Sequence, residues 1–287
     1  MIDVLVQVVA SVALIWVMFT EGLNVDLGRL LTVRRRPLLL VRAFVAVNLL
    51  VPLGAWLLIL WIEPQRRVAG ALVLLAACPI APLSLRRITR AGGEREAAVA
   101  IHLLLAMLAI ASTPLTLRIL GDALGFFAQA PLGSIARQIA LTVVLPLLAG
   151  IAVAARWPGP AARLRRPGGR LAFLLLALVV LLAIAAEVRA FLDLDLADYL
   201  AMAAFVLMAL AMGHLVGGEG KDRTILELEC ASRNIGLAFV IASLQPHVRS
   251  ALPIVVPYLL IFVVISSSYL GLARALQGAR SARGPPW

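Results

Sequence analysis

The sequence predicts an all-α polytopic membrane protein of about nine transmembrane helices, two of them discontinuous. Three observations carry this. Of the 287 residues, 62% are hydrophobic and 14% charged, with a mean hydropathy of +1.01; a soluble domain has roughly 45–50% apolar and about 25% charged residues. The apolar residues fall into successive runs close to the roughly 20 residues a helix needs to cross the hydrocarbon core. Two of those runs are interrupted, one by prolines and one by charged and amide side chains.

In order, the runs lie near 2–22, 37–61, 66–85, 96–118, 134–155, 171–190, 197–216, 222–246 and 251–273. The first has no basic region before it and no small-residue cleavage site, so it reads as a span and not as a removable signal. The third contains Cys78-Pro79 and Pro82; two prolines remove two backbone donors, so this helix should kink or unwind there. The eighth holds Glu229, Ser232, Arg233, Asn234 and Gly236 within eight residues. Charged residues at that depth face a bundle interior or a wet cavity, and a helix that breaks mid-membrane frees backbone groups for a ligand. Residues 1–278 therefore form one integral domain, and 279–287 a short cytoplasmic tail.

The basic residues set the orientation. One side receives Arg29, Arg34, Arg35, Arg36, Arg86, Arg87, Arg90, Arg95, Arg156, Arg163, Arg165, Arg166, Arg170, Lys221, Arg223, Arg274, Arg280 and Arg283. The other receives Arg66, Arg67, Arg118, Arg137, Arg189 and Arg249. The positive-inside rule puts the first side and the C-terminus in the cytoplasm, and the N-terminus outside. The same distribution argues against nucleic acid as a partner: the +11 charge lies in short loops and not in a stripe. Cys78 and Cys230 both sit in apolar segments and read as buried thiols.

Spans one to four (about 2–118) match spans six to nine (about 171–273) in order, with the interrupted members in corresponding places. An unpaired fifth span between them inverts the second copy, and inverted repeats with paired broken helices are a transporter design.

Several polar residues invite a role. Glu229 and Arg233 are four apart, the better order for a helical ion pair; they form either a fixed cation beside a substrate cavity or a structural pair. Asn234 is a substrate contact or a cap at the break. Ser84, Arg86 and Arg87 end the third span, as an ordinary basic flank or an anion-attracting mouth. His102 and His214 relay protons or bond to a neighbouring helix. Ser266, Ser267 and Ser268 bond to helix backbone or permit close packing. Paired catalytic acids, metal-ligand spacings and phosphate loops are not visible, so an enzyme is not expected.

Taken together, the Phe19–Asn24 stretch, Cys78-Pro79 opening one broken helix and the Glu229-to-Asn234 element in the other resemble the bile acid:sodium symporter superfamily over nearly the whole chain. The resemblance implies a core domain, a panel domain, crossed discontinuous helices and alternating access, with one N-terminal helix fewer than ten-helix members. It also implies two sodium sites, of which Glu229 matches the shared carboxylate. Arg233 stands where the family has a glutamine, Leu85 where it has an asparagine, Ala55 at the partner glutamine, and Ala97, Ile101 or His102 near its hydroxyls.

The expectation is therefore a secondary transporter of the inner (plasma) membrane that carries a small organic anion by alternating access. Arg233, Asn234, Glu229, Ser84 and Ser232 would bind substrate. No cofactor and no metal are expected, and the usual two-sodium coupling is not expected. A sodium-coupled bile acid symporter of the same fold is the alternative, and a membrane sensor or integral-membrane enzyme the more distant one.

Overall fold

The computed structural model describes residues 2–26, 28, 36–81, 84–126, 132–244 and 251–282, and every regular element among them is helical. The helices are α1 (Ile2–Leu23), α2 (Pro37–Val45), α3 (Val51–Ile62), α4 (Arg66–Ala77), α5 (Ser84–Arg90), α6 (Arg95–Leu124), α7 (Leu132–Ile139), α8 (Leu145–Arg156), α9 (Pro158–Leu192), α10 (Leu196–Val216), α11 (Gly220–Ala231), α12 (Ile235–Leu244) and α13 (Leu252–Ala282). A π turn at Ala46–Leu50 joins α2 to α3, and another at Ala140–Val144 joins α7 to α8.

Both π turns end two residues before a proline, Pro52 and Pro146. A proline inside a helix has no N–H to give the fourth carbonyl before it and crowds that carbonyl, and a wider turn accommodates the misfit. The rods stay continuous, and each proline sits at the start of the α-helix that follows.

Five helical rods are long and apolar enough to cross a membrane: Pro37–Ile62, Arg95–Leu124, Leu132–Arg156, Leu196–Val216 and Leu252–Leu272. They correspond to the second, fourth, fifth, seventh and ninth runs of the sequence. Val8–Leu23 is a shorter apolar helix. The third and eighth runs are split, each into two helices of at most 12 residues. The sixth differs from expectation. Residues 156–170 read as a basic loop, yet α9 begins at Pro158 and carries Arg163, Arg165, Arg166 and Arg170 within a 35-residue helix. A proline is well placed in a first turn, alanine, leucine and arginine favour helix, and Pro167 is tolerated as prolines are in membrane helices.

Packing follows small residues. α1 lies against α8 and α9. At the first contact Gly22 and Gly150 face each other, and a Cβ on Gly150 would stand 2.1 Å from the Phe19 carbonyl oxygen. Trp16 Nε1 donates to the Gly168 oxygen at 3.0 Å, and Arg165 Nε to the Leu23 oxygen at 2.8 Å, tying α9 to α1. In the other half of the molecule α10 packs on α3, α11 and α13, and Gly213 lets it approach the backbone of Glu227. Close approach through small residues is how helices associate where lipid offers no hydrophobic contrast.

Candidate functional site

The two split rods meet at their interruptions. α4 packs against α12 and α5 against α11, so the first half of each rod lies beside the second half of the other. A direct bond joins the breaks: the Asn234 N–H donates to the Cys78 oxygen at 3.0 Å. The local causes are legible. Pro79 cannot donate, and Ile80, at φ 71°, stands in the left-handed region, which a β-branched side chain rarely enters. Ile80 is buried, and such strain persists only where surrounding packing over-determines it. On the other rod α11 ends at Ala231, with the Tyr258 hydroxyl donating to the Ala231 oxygen at 3.3 Å. α12 restarts at Ile235, and Asn234 Oδ1 accepts the Leu237 N–H at 2.9 Å. Asn234 is thus the cap at the break, one of the two roles its sequence position allowed. Pro82 lies outside the described residues.

Arg233 occupies the break itself, not the last turn before it. That changes its partner. With the helix already ended, the spacing of four that would pair it with Glu229 no longer places both side chains on one face. Instead the guanidinium bonds to backbone. Nε donates to the Cys230 oxygen at 2.9 Å and Nη2 to the same oxygen. Nη1 donates to the Ala76 oxygen at 3.4 Å and the Val47 oxygen at 3.5 Å. The expected Glu229–Arg233 ion pair is therefore not formed. Arg233 is 1% exposed and among the largest fully buried side chains. It sits where α4 and α11 both end, and helix C-termini carry partial negative charge. The planar fork of the guanidinium serves several oxygens at once.

Glu229, fully buried, points to another place. Its Oε1 accepts a long 3.4 Å bond from Ser84 Oγ at the start of α5 and lies 3.6 Å from His102 Nδ1 on α6. Glu229 Oε2, both His102 nitrogens, Ser232 Oγ and Asn234 Nδ2 are buried without a hydrogen-bond partner. Five unpaired polar atoms around one crossing are unusual, since each costs about 1–3 kcal/mol unless something completes it. The structure brings Glu229 and Ser84 together, with Arg233, Asn234 and Ser232 in the adjoining break.

Reading the sequence as spans undervalued His102, and it passed over Glu21. Both are buried polar residues in apolar helices, which is the signal that marks them. Glu21 lines a cleft of about 300 Å³ with Asn24, Arg86, Thr89, Arg90 and Arg95. Arg87, Ser266, Ser267 and His214 make contacts between helices. Arg87 Nη2 donates to Ser266 Oγ at 2.7 Å and Ser267 Oγ at 3.2 Å, and its guanidinium lies 4.8 Å from the Phe262 ring centroid. It joins α5 to α13 instead of serving as a free basic flank. Ser266 also donates to the Phe262 carbonyl, the expected backbone bond. His214 Nδ1 and the Tyr269 hydroxyl each lie 2.6 Å from Glu227 Oε1, so His214 bonds to a neighbouring helix.

The profile of the Sodium Bile acid symporter family matches residues 11–193. No curated protein matches the chain. The matched residues take in α4, α5 and α6 with Ser84 and His102; α11 and α12 lie beyond them, and their part in the crossing rests on geometry. Membrane-spanning helices, a broken rod opened by Cys78-Pro79 and the family match agree, and the chain belongs to the sodium bile acid symporter family.

Proposed function

We infer that the protein is a secondary transporter that moves a small organic anion across the inner (plasma) membrane by alternating access, without the two-sodium coupling of its family. In this reading the chain makes nine spans in two inverted repeats. α1, α8 and α9 form the panel, and the crossing belongs to the core that moves against it. Ser84, Glu229, Ser232 and Asn234 present polar atoms to the substrate side. Arg233 supplies the positive charge at the crossing.

One observation carries the reading: Arg233 rests on the Cys230, Ala76 and Val47 oxygens where two half-helices end. Broken-helix transporters use such carbonyls and helix C-termini to coordinate a cation. Here a guanidinium takes that place, and it stays charged at any working pH. The sodium-coupled alternative draws on a different observation, the unpartnered Glu229 Oε2 and Ser232 Oγ, because a hard cation seeks several oxygens.

The two separate in one measurement. An organic anion found by thermal-shift screening is titrated into the purified protein in sodium and in choline buffer, and equal affinities are expected. A sodium-dependent gain of tenfold or more, about 1.4 kcal/mol, would establish a working sodium site and overturn the role given to Arg233.

The orientation has its own test. The basic side of the chain is assigned to the cytoplasm, so a reporter active only there, fused after Trp287, is expected to be active. A silent fusion that is nevertheless well expressed would reverse the topology.

A further inference from the structure

The cleft beside the crossing has an arrangement that a plain anion site does not need. Its rim carries Arg86 and Arg90 from α5 and Arg95 from the start of α6, all exposed. Its floor is Glu21, only 6% exposed and the single carboxylate among the cleft's described lining residues. Among the described residues no hydrogen-bond donor and no ion-pair partner reaches the Glu21 side chain, although it lies within electrostatic range of His102, Arg86 and Arg95. Three nearby donors bond to the backbone of α1 and of the residue that follows it. Arg95 Nη2 donates to the Asn24 oxygen at 3.5 Å, Arg165 Nε to the Leu23 oxygen at 2.8 Å, and Asn24 Nδ2 to the Thr20 oxygen at 2.7 Å. These groups close the end of α1 and leave the carboxylate facing the cleft.

A carboxylate out of water and without a partner is costly unless a cation or a donor meets it. In a cleft ringed by arginines, an anionic ligand alone would bring a like charge toward Glu21. A ligand with an anion at one end and an ammonium at the other satisfies both ends, because the arginine forks suit a carboxylate and Glu21 takes the ammonium. We propose that Glu21 and the arginine rim select an organic anion that also carries an ammonium group, so that the substrate class is zwitterionic. This rests on the transporter reading above and names its substrate. His102 is within electrostatic range of Glu21 and 3.6 Å from Glu229, so the same imidazole neighbours both acids.

The test uses matched straight-chain probes of four, six and eight carbons: the plain carboxylic acid, the ω-hydroxy acid and the ω-amino acid. Binding to the purified full-length protein is measured by calorimetry for the wild type, Glu21→Gln and Glu21→Asp. At one chain length or more the amino acid is expected to bind at least about tenfold more tightly than its two counterparts. Glu21→Gln should abolish that preference while the plain acid still binds, and Glu21→Asp should keep it. Three results would overturn the proposal: no preference at any length, a preference that survives Glu21→Gln, or hydroxy and amino acids binding equally, which would mean that Glu21 is protonated and recognises any acceptor. Uptake by proteoliposomes keeps the two readings apart. Uptake of plain acids without preference removes the ammonium site and leaves the transporter; a Glu21-dependent preference without uptake removes transport and leaves the site.

Discussion

Replacing Arg233 with leucine is expected to lower the unfolding free energy by about 3–5 kcal/mol, the range for removing one partner of a buried charged arrangement. The Cys230, Ala76 and Val47 oxygens would lose their donor at once, and each buried acceptor left unpaired costs about 1–3 kcal/mol. The total stays below that simple sum because the guanidinium's own desolvation cost disappears with it. Lysine should recover only part of the loss: it restores the charge, but a single ammonium cannot span acceptors on three separate segments. Chemical unfolding of the purified protein in detergent gives the order wild type, Arg233→Lys, Arg233→Leu. A leucine variant as stable as the wild type would mean that the guanidinium does not hold the crossing together.

Gly150→Ala should rank next, and it adds a single carbon. That carbon would lie 2.1 Å from the Phe19 oxygen and 3.0 Å from Gly22 Cα, both backbone atoms that no side-chain rotation can clear. Overpacking ordinarily costs about 1–3 kcal/mol, and a backbone obstacle puts this site at the upper end or beyond. Gly133→Ala is the control. It lies in helix α7 with nothing within 4 Å of the added carbon, so it should stabilise by up to about 1 kcal/mol through helix propensity. Melting temperatures of the two variants are expected to move in opposite directions. If Gly150→Ala melts with the wild type, α1 and α8 are not packed at the distance described.

What could be read from the sequence divides along a physical line. Apolar runs, Pro79 and the polar cluster after Glu229 are local signals, and they located the interruptions within a few residues. The partners of the polar residues are not local. Spacing makes Arg233 a helical neighbour of Glu229, because spacing is all that a sequence offers; the structure ends the helix at Ala231 and sends the side chain to carbonyls on α4 and on the first π turn. Carbonyl acceptors are present at every residue and so carry no sequence signal. Likewise the arginines of α9 resembled a loop because charge marks membrane edges, while a helix that extends past the membrane edge leaves no separate mark. Glu21 is readable in principle, as an isolated carboxylate at the end of an apolar run.

The charge at the crossing is covalently attached, and that changes what the protein can do with it. An ion taken from solution arrives with a concentration difference, and a carrier that must bind it before turning converts that difference into accumulation of its cargo. A guanidinium neither arrives nor leaves. In the structure described, the ends of α4 and α11 are compensated by a charge that the ionic composition of the solution does not supply; on the transporter reading proposed above, no step of the cycle would wait on that charge and no gradient would enter through it. Under that proposal the carrier would equilibrate or exchange its cargo, and any uphill accumulation would have to be driven by something bound elsewhere.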